Sequence, residues 1–313
     1  MFKFFQFCCF FKKIVILSLL LQINFLKVKF MDDFIKVLGV YFSYSGEENE
    51  FVLKDISFNI RKGQKVAIVG SNGSGKSTLS KILNAIFLPT KGNVFVDSFD
   101  CSKKEFIVEI RKNVGLIFQD PDNQIVATTV EEDVAFALEN LCVPQEKMCL
   151  IIKKVLDSVR MGKFRKKNVE ELSGGQKSKV AIAGILAMDP KCIIFDESTA
   201  MLDPKSRKEI LNIMEELNKK RGTTIINITH NMDEVTFFDS VIVLKDGKVL
   251  KQDTPRNIFL DESVLKEAGL CLPQVAKLIS MLYEEGLIKQ KIALSVDECV
   301  FILANSLKGE KNF

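Results

Sequence analysis

"VAIVGSNGSGKSTLSKIL", residues 66–83, decides the fold. Val66 to Val69 form a short apolar run suited to a strand buried on both faces. Gly70, Ser71, Asn72, Gly73, Ser74, Gly75, Lys76, Ser77 and Thr78 follow and contain G-x-x-x-x-G-K-[ST]. Leu79, Ile82 and Leu83 then supply the apolar face of a helix. Three glycines let consecutive backbone N–H groups turn inward on phosphates, and the helix N-terminus adds its positive dipole end. In this pattern Lys76 reaches the terminal phosphates and the Ser77 hydroxyl is a ligand for Mg²⁺. A Gly/Ser-rich turn before a helix is the bland alternative, but strand, loop, Lys-Ser and helix in this order make a nucleotide site.

A nucleotide site needs carboxylates, and "KCIIFDES", residues 191–198, provides them. An apolar strand here delivers Asp196 and Glu197 to its carboxyl end, where parallel sheets bind ligands. Neighbouring strand residues point opposite ways, so the two acids can differ in task. Asp196 is the candidate for Mg²⁺ and Glu197 for polarising the attacking water.

Between these elements lies "ELSGGQKSKVAIAGILAMDP", residues 171–190. Ser173 is placed to cap a helix with an apolar face of Val180, Ile182, Ala183, Ile185 and Leu186, making a second anion site. "LSGGQ" resembles the signature of ATP-binding cassette ATPases. The resemblance implies that Ser173, Gly174, Gly175 and Gln176 cover the γ-phosphate of ATP held by another subunit, so that a lone chain is inactive. It further implies that Gln119 of "GLIFQD" touches Mg²⁺ and the membrane partner. Asp203 of "AMLDP" would lie at the dimer seam, and Tyr44 of "YFSYSG" would stack on adenine. His230 is the sole histidine, and such a residue is more often structural than chemical. Here it ends the β-branched run "TTIINIT" and matches the family's switch histidine, which contacts the γ-phosphate. Departures are small: "KSKV" follows the signature where an arginine is usual, and "DES" replaces commoner endings. The implied catalytic set is Lys76, Glu197 and His230, with Ser77, Gln119 and Asp196 around the metal.

"FQDPDNQIVATTVEEDVAFALENLCVP", residues 118–144, is more discriminating. It resembles the ATPases of energy-coupling factor transporters, in particular the first of the two ATPases many of them use. Thr129 reads as the cap of a helix with acids in its first turn. The resemblance implies a peripheral subunit on the cytoplasmic face of the cell membrane that drives import of a vitamin or of a metal ion such as cobalt or nickel. Its implied partners are a second cassette ATPase in a heterodimer, a transmembrane coupling subunit and a substrate-binding membrane subunit. The rivals are an ATPase of another importer of the same class and a soluble cassette protein. The single phosphate loop and the lack of sustained heptads disfavour the second.

The implied fold is α/β: a mostly parallel P-loop sheet, a β-rich layer from 34–66 and 92–97, a helical subdomain at about 120–188, and a small C-terminal helical region. The cassette is expected to span 34–252, closed by a hairpin turning at Asp246-Gly247. Residues 253–313 are expected to be helical, with a disordered end and a role in holding the two ATPases together. The net charge of +4 includes five lysines and no acid in residues 1–30, so the remaining body is near-neutral at −1. That excludes an electrostatic case for nucleic acid. Eight scattered cysteines without a CxxC pair and a single histidine disfavour a zinc site. Residues 1–30 are apolar, but the run Ile14 to Leu26 is shorter than the roughly 20 residues of a spanning helix. They are read as a dispensable or non-native extension, the alternative being an interfacial anchor.

Overall fold

A computed structural model describes residues 33–47 and 50–309 of the chain. The extension 1–30 lies outside the described residues, as do 310–313 of the end 308–313 expected to be disordered; residues 308 and 309 instead close the last helix, Val296–Gly309. Strands β1 (Asp33–Phe42), β2 (Leu53–Arg61), β3 (Lys65–Gly70), β4 (Lys91–Val96), β5 (Phe99–Asp100), β6 (Val114–Ile117), β7 (Cys192–Asp196), β8 (Thr224–Ile228), β9 (Ser240–Lys245) and β10 (Lys248–Asp253) form two sheets. The first is antiparallel, in the order β2-β1-β4-β5, and is the expected β-rich layer. The second runs β10-β9-β3-β8-β7-β6 and is parallel except for the hairpin strand β10.

The pleat of the parallel strands divides the interior. Val66 and Ile68 of β3, Ile194 of β7, Ile226 of β8 and Ile242 of β9 point to the antiparallel sheet and pack with Ile35, Val37, Ile56 and Ile60. Their neighbours Ala67, Val69, Ile193, Phe195, Ile225 and Val241 point to the other face. There they meet Val180, Ile182 and Leu186 of the helix Gly174–Ala187, Ile210 and Met214 of the helix Pro204–Arg221, and Val134 and Leu138 of the helix Val130–Asn140. Near-continuous apolar strands are what burial on both faces requires. The alternation carries to the site: Asp196 shares the parity of Ile194, so it faces the helix Lys76–Leu83.

The helical segment is well capped. Thr129 Oγ1 accepts the Glu132 N–H while Glu132 accepts the Thr129 N–H, a reciprocal capping box. After the hairpin, Thr254 caps Pro255–Leu260 and Asp261 caps Glu262–Ala268. Ile258, Phe259, Val264, Leu265, Ala268 and Ala276 are buried in the same core as the parallel sheet. The hydrophobic interior therefore runs across position 252/253, because these helices cover β9 and β10. A separate small cluster of Ile279, Ile288, Ala293, Cys299 and Ile302 holds the helices Gln274–Glu284 and Val296–Gly309 together.

Candidate functional site

The phosphate loop leaves β3 at Gly70 and enters the helix Lys76–Leu83. Gly75 caps that helix at φ 96°, and a Cβ there would lie 2.5 Å from Leu53 Cδ2. The left-handed conformation is what requires glycine; the Leu53 contact is with the end of a side chain, the nearest backbone atom standing at 3.5 Å. Lys76 is buried and its Nζ donates to the carbonyls of Gly70 and Ser71, each at 3.0 Å. The amine is curled back over the loop, where a phosphate would meet it. Burial pulls the Lys76 pKa down, opposed by the charges of Glu197 and Asp196. Ser74 Oγ is buried without a hydrogen-bond partner, a polar atom left for a ligand to satisfy.

Asp196 ends β7 and accepts Ser77 Oγ–H at 3.0 Å and Ser80 Oγ–H at 2.9 Å. Burial pushes its carboxyl up from the ordinary range; the two serines pull it down and Glu197 adds to the rise. Hydroxyl and carboxylate oxygens are the donors a hard divalent cation takes. Ser80 lies outside the loop motif and carries no sequence signal except its i+3 spacing from Ser77, which puts both hydroxyls on one helical face. Glu197 follows with a left-handed backbone at φ 52°, and its N–H donates to Ile228 O at 3.0 Å. This turn aims the side chain at His230, whose Nε2 lies 2.6 Å from Glu197 Oε1. Lys76 Nζ stands 4.0 Å from the same oxygen. Lys76, Glu197 and His230 therefore meet at one point, beside the Ser77–Asp196 pair.

Tyr44 is 62% exposed, set edge-on to Phe42 and Phe87, and its hydroxyl is 2.7 Å from Thr78 Oγ1. It is tethered to the helix of the phosphate loop with its ring in solvent. Gln119 is exposed two residues beyond β6. Because Ile117 pairs with Phe195, the exit of β6 lies beside that of β7, next to Asp196.

The signature segment stands on its own helix. Ser173 Oγ accepts the Gln176 N–H and Gln176 accepts the Ser173 N–H, closing a second capping box. Ser173 and Gly174 are exposed, and nothing lies within 4 Å of a Cβ placed on Gly174. Gly175 instead packs against Ser206, where a Cβ would come within 2.4 Å of the hydroxyl. This seats the signature helix on the helix Pro204–Arg221, whose N-cap is Asp203. Asp203 accepts the N–H groups of Lys205 and Ser206. The Pro121–Asn123 turn closes on Gln124, which accepts the Phe118 N–H at 3.2 Å. Asp122 of that turn pairs with Lys177 at 2.6 Å. Beside it, Val126, Asp133, Phe136, Ala181, Ile185 and Met188 line a groove of about 230 Å³. Asp133 holds its rim by accepting the N–H of Val126 and Ala127.

Comparison with known proteins agrees with this geometry. Residues 53–200 match the family model described as ABC transporter. An energy-coupling factor transporter ATP-binding protein, EcfA1 of Clostridioides difficile, is 48% identical over 274 residues, covering 87% of this chain and 99% of that protein. The EcfA1 protein of Mesomycoplasma hyopneumoniae strain J is 45% identical, covering 79% of this chain and 91% of that one. Among solved structures, cbiO1 of Clostridium perfringens, part of the ABC transporter complex cbiONQ, aligns with a TM-score of 0.69 at 37% identity. That alignment covers 80% of this chain and 99% of the other. The cassette MJ0796, dimeric in a post-hydrolysis state with ADP and Pi, aligns at 0.64 with 31% identity, over 71% of this chain and 99% of that one.

Proposed function

From the premise that this chain belongs to the ABC transporter family, among the energy-coupling factor ATP-binding subunits, we propose how it works: ATP is clamped between two cassettes and its hydrolysis drives import of a small nutrient. The observation that carries this reading is the convergence of Lys76, Glu197 and His230 at the mouth of a glycine loop. The amides of residues 70–78 hold the phosphates, and Lys76 leaves its carbonyl partners for the terminal ones. Glu197 accepts a proton from the attacking water, and His230 steers that carboxylate and contacts the γ-phosphate. Tyr44 offers its open ring to adenine.

Ser77, Asp196 and Gln119 would hold Mg²⁺, which when bound neutralises charge on the phosphate oxygens. Ser173, Gly174, Gly175 and Gln176 serve the ATP of a second cassette: Gly174 leaves the helix N-terminus open for it. That second cassette is a different ATPase subunit, and Asp203 lies at the seam with it. The groove beside Phe136 and Met188 receives the transmembrane coupling subunit, which carries a substrate-binding membrane protein. The imported substrate is a vitamin or a metal ion such as cobalt or nickel. The chain works at the cytoplasmic face of the cell membrane as a peripheral subunit. Among the described residues no helix is long and apolar enough to cross a membrane.

Purification from native membranes, with identification of every co-purifying chain, tests the assembly. A second cassette ATPase and two kinds of integral membrane protein are expected. A chain that turns over ATP at full speed as a strict monomer, with Ser173 dispensable, would refute it.

A further inference from the structure

Outside the groups that face the nucleotide, one buried carboxylate gathers an unusual set of partners. Glu234 stands four residues after His230, in the first turn of the helix Met232–Val235, and is 2% exposed. Thr199 Oγ1–H donates to both its oxygens, at 3.0 and 3.2 Å. Thr229 Oγ1–H donates at 2.8 Å and Asn227 Nδ2–H at 3.2 Å. The Arg207 guanidinium lies 3.7 Å away and also donates to the carbonyls of Thr199 and Leu202.

These partners come from three segments of different purpose. Thr199 lies two residues beyond Glu197. Asn227 and Thr229 belong to β8 and its exit, immediately before His230. Arg207 lies one helical turn past Asp203 and braces the loop 199–202 that leads to it. A carboxylate buried this deeply is tolerated only while its donors stay in place. A shift of the Asp203 loop relative to β8 would strip donors from a buried charge, so the three segments move together or not at all. Glu197 and His230 lie on two of those segments.

We propose that Glu234 is a positioning residue that makes the Asp203 loop and the Glu197–His230 pair one mechanical unit, so that docking of the second cassette at the loop is felt at the reacting atoms. The inference rests on the hydrolytic reading above. Glu234 touches no reacting group; it acts through Thr199, Thr229 and Arg207.

The test uses the full chain in its native transporter complex and compares Glu234→Gln, Thr199→Val, Asp203→Ala, Glu234→Gln with Arg207→Met, and Glu234→Gln with Asp203→Ala. Turnover at saturating ATP, affinity for a fluorescent ATP analogue and melting temperature are measured for each. Glu234→Gln is expected to lower kcat at least about tenfold while nucleotide affinity stays within about threefold. Adding Arg207→Met also removes the bonds to the carbonyls of Thr199 and Leu202, so the double variant is expected to melt no higher and turn over no faster than Glu234→Gln. Asp203→Ala lowers kcat alone but by less than about twofold on the Glu234→Gln background, because coupled residues are not additive. Thr199→Val, which keeps the charge, shows the same split in milder form should Glu234→Gln not fold. The inference is overturned if folded Glu234→Gln turns over within about twofold of wild type, if adding Arg207→Met restores kcat, or if the losses of Glu234→Gln and Asp203→Ala simply multiply. Glu197→Gln separates the two levels. Should it leave turnover intact, the hydrolytic reading itself fails; should it abolish turnover while the Glu234 variants stay fast, only this inference does.

Discussion

Replacing His230 with alanine is the sharpest test of the hydrolytic site. The backbone of Glu197 is held by its N–H bond to Ile228, but its side chain is steered by the imidazole, whose Nε2 is 2.6 Å from Oε1. A hydrogen bond to a charged group contributes about 1.5–3 kcal/mol. His230 is 40% exposed and Glu197 16%, so water competes for both and the lower half of that range, about 1.5–2 kcal/mol, applies. At 1.36 kcal/mol per decade this alone slows turnover about ten- to thirtyfold. The proposed contact with the γ-phosphate disappears as well, which brings the expected loss of kcat to about a hundredfold. Nucleotide affinity should move by less than about threefold, because the loop amides and Lys76 are untouched. Phosphate release at saturating ATP and equilibrium titration with a fluorescent analogue measure the two quantities separately. Unchanged kcat would remove His230 from the mechanism, and an equal loss in affinity would mean that the loop itself had collapsed.

Ser173→Ala removes one half of a capping box and should cost about 1 kcal/mol of stability. Its own nucleotide affinity should be unchanged while turnover of the assembled complex falls; full activity in the phosphate-release assay would contradict the two-sided grip. Asp196→Asn tests the pH behaviour. Burial raises the folded pKa of Asp196, so the stability its carboxyl contributes is complete below the ordinary aspartate pKa and is lost as pH rises through the raised value. The asparagine variant, free of that loss, should melt higher than ligand-free wild type near neutral pH, with the gap closing in acid, and should bind ATP with Mg²⁺ more weakly. A melting series from about pH 4 to 8 reads the sign. Burial pushes the Cys101 thiol up to about 12 and raises that of Cys192 as well. Both should resist alkylation of the folded protein at about pH 8, where the exposed Cys142, Cys149 and Cys271 react; mass spectrometry of the labelled chain decides.

Much of this was legible in the chain itself because it is local. The glycine loop, the two helix caps at Thr129 and Ser173, the Asp246-Gly247 hairpin and the paired acids after an apolar strand each need only a few neighbouring residues. Their spacing carries both conformation and chemistry. The site was legible for the same reason, since the fragments that build it are short and distinctive. Ser80 and Glu234 were not, because a serine within a helix and a glutamate in a first turn read as solvent-facing.

Spacing along the chain determined that there is a phosphate loop, which acids are candidates to serve it, and where helices begin. Tertiary structure alone decided that β3 lies between β8 and β9, two strands from β7. It also brought His230 onto Glu197, aimed Ser77 and Ser80 at Asp196, and buried Glu234 among Thr199, Thr229 and Arg207. The physical reason is that strand order and the burial of a charge are settled by packing two cores against opposite faces of one sheet. That packing is a property of the whole chain, which no short window of residues contains.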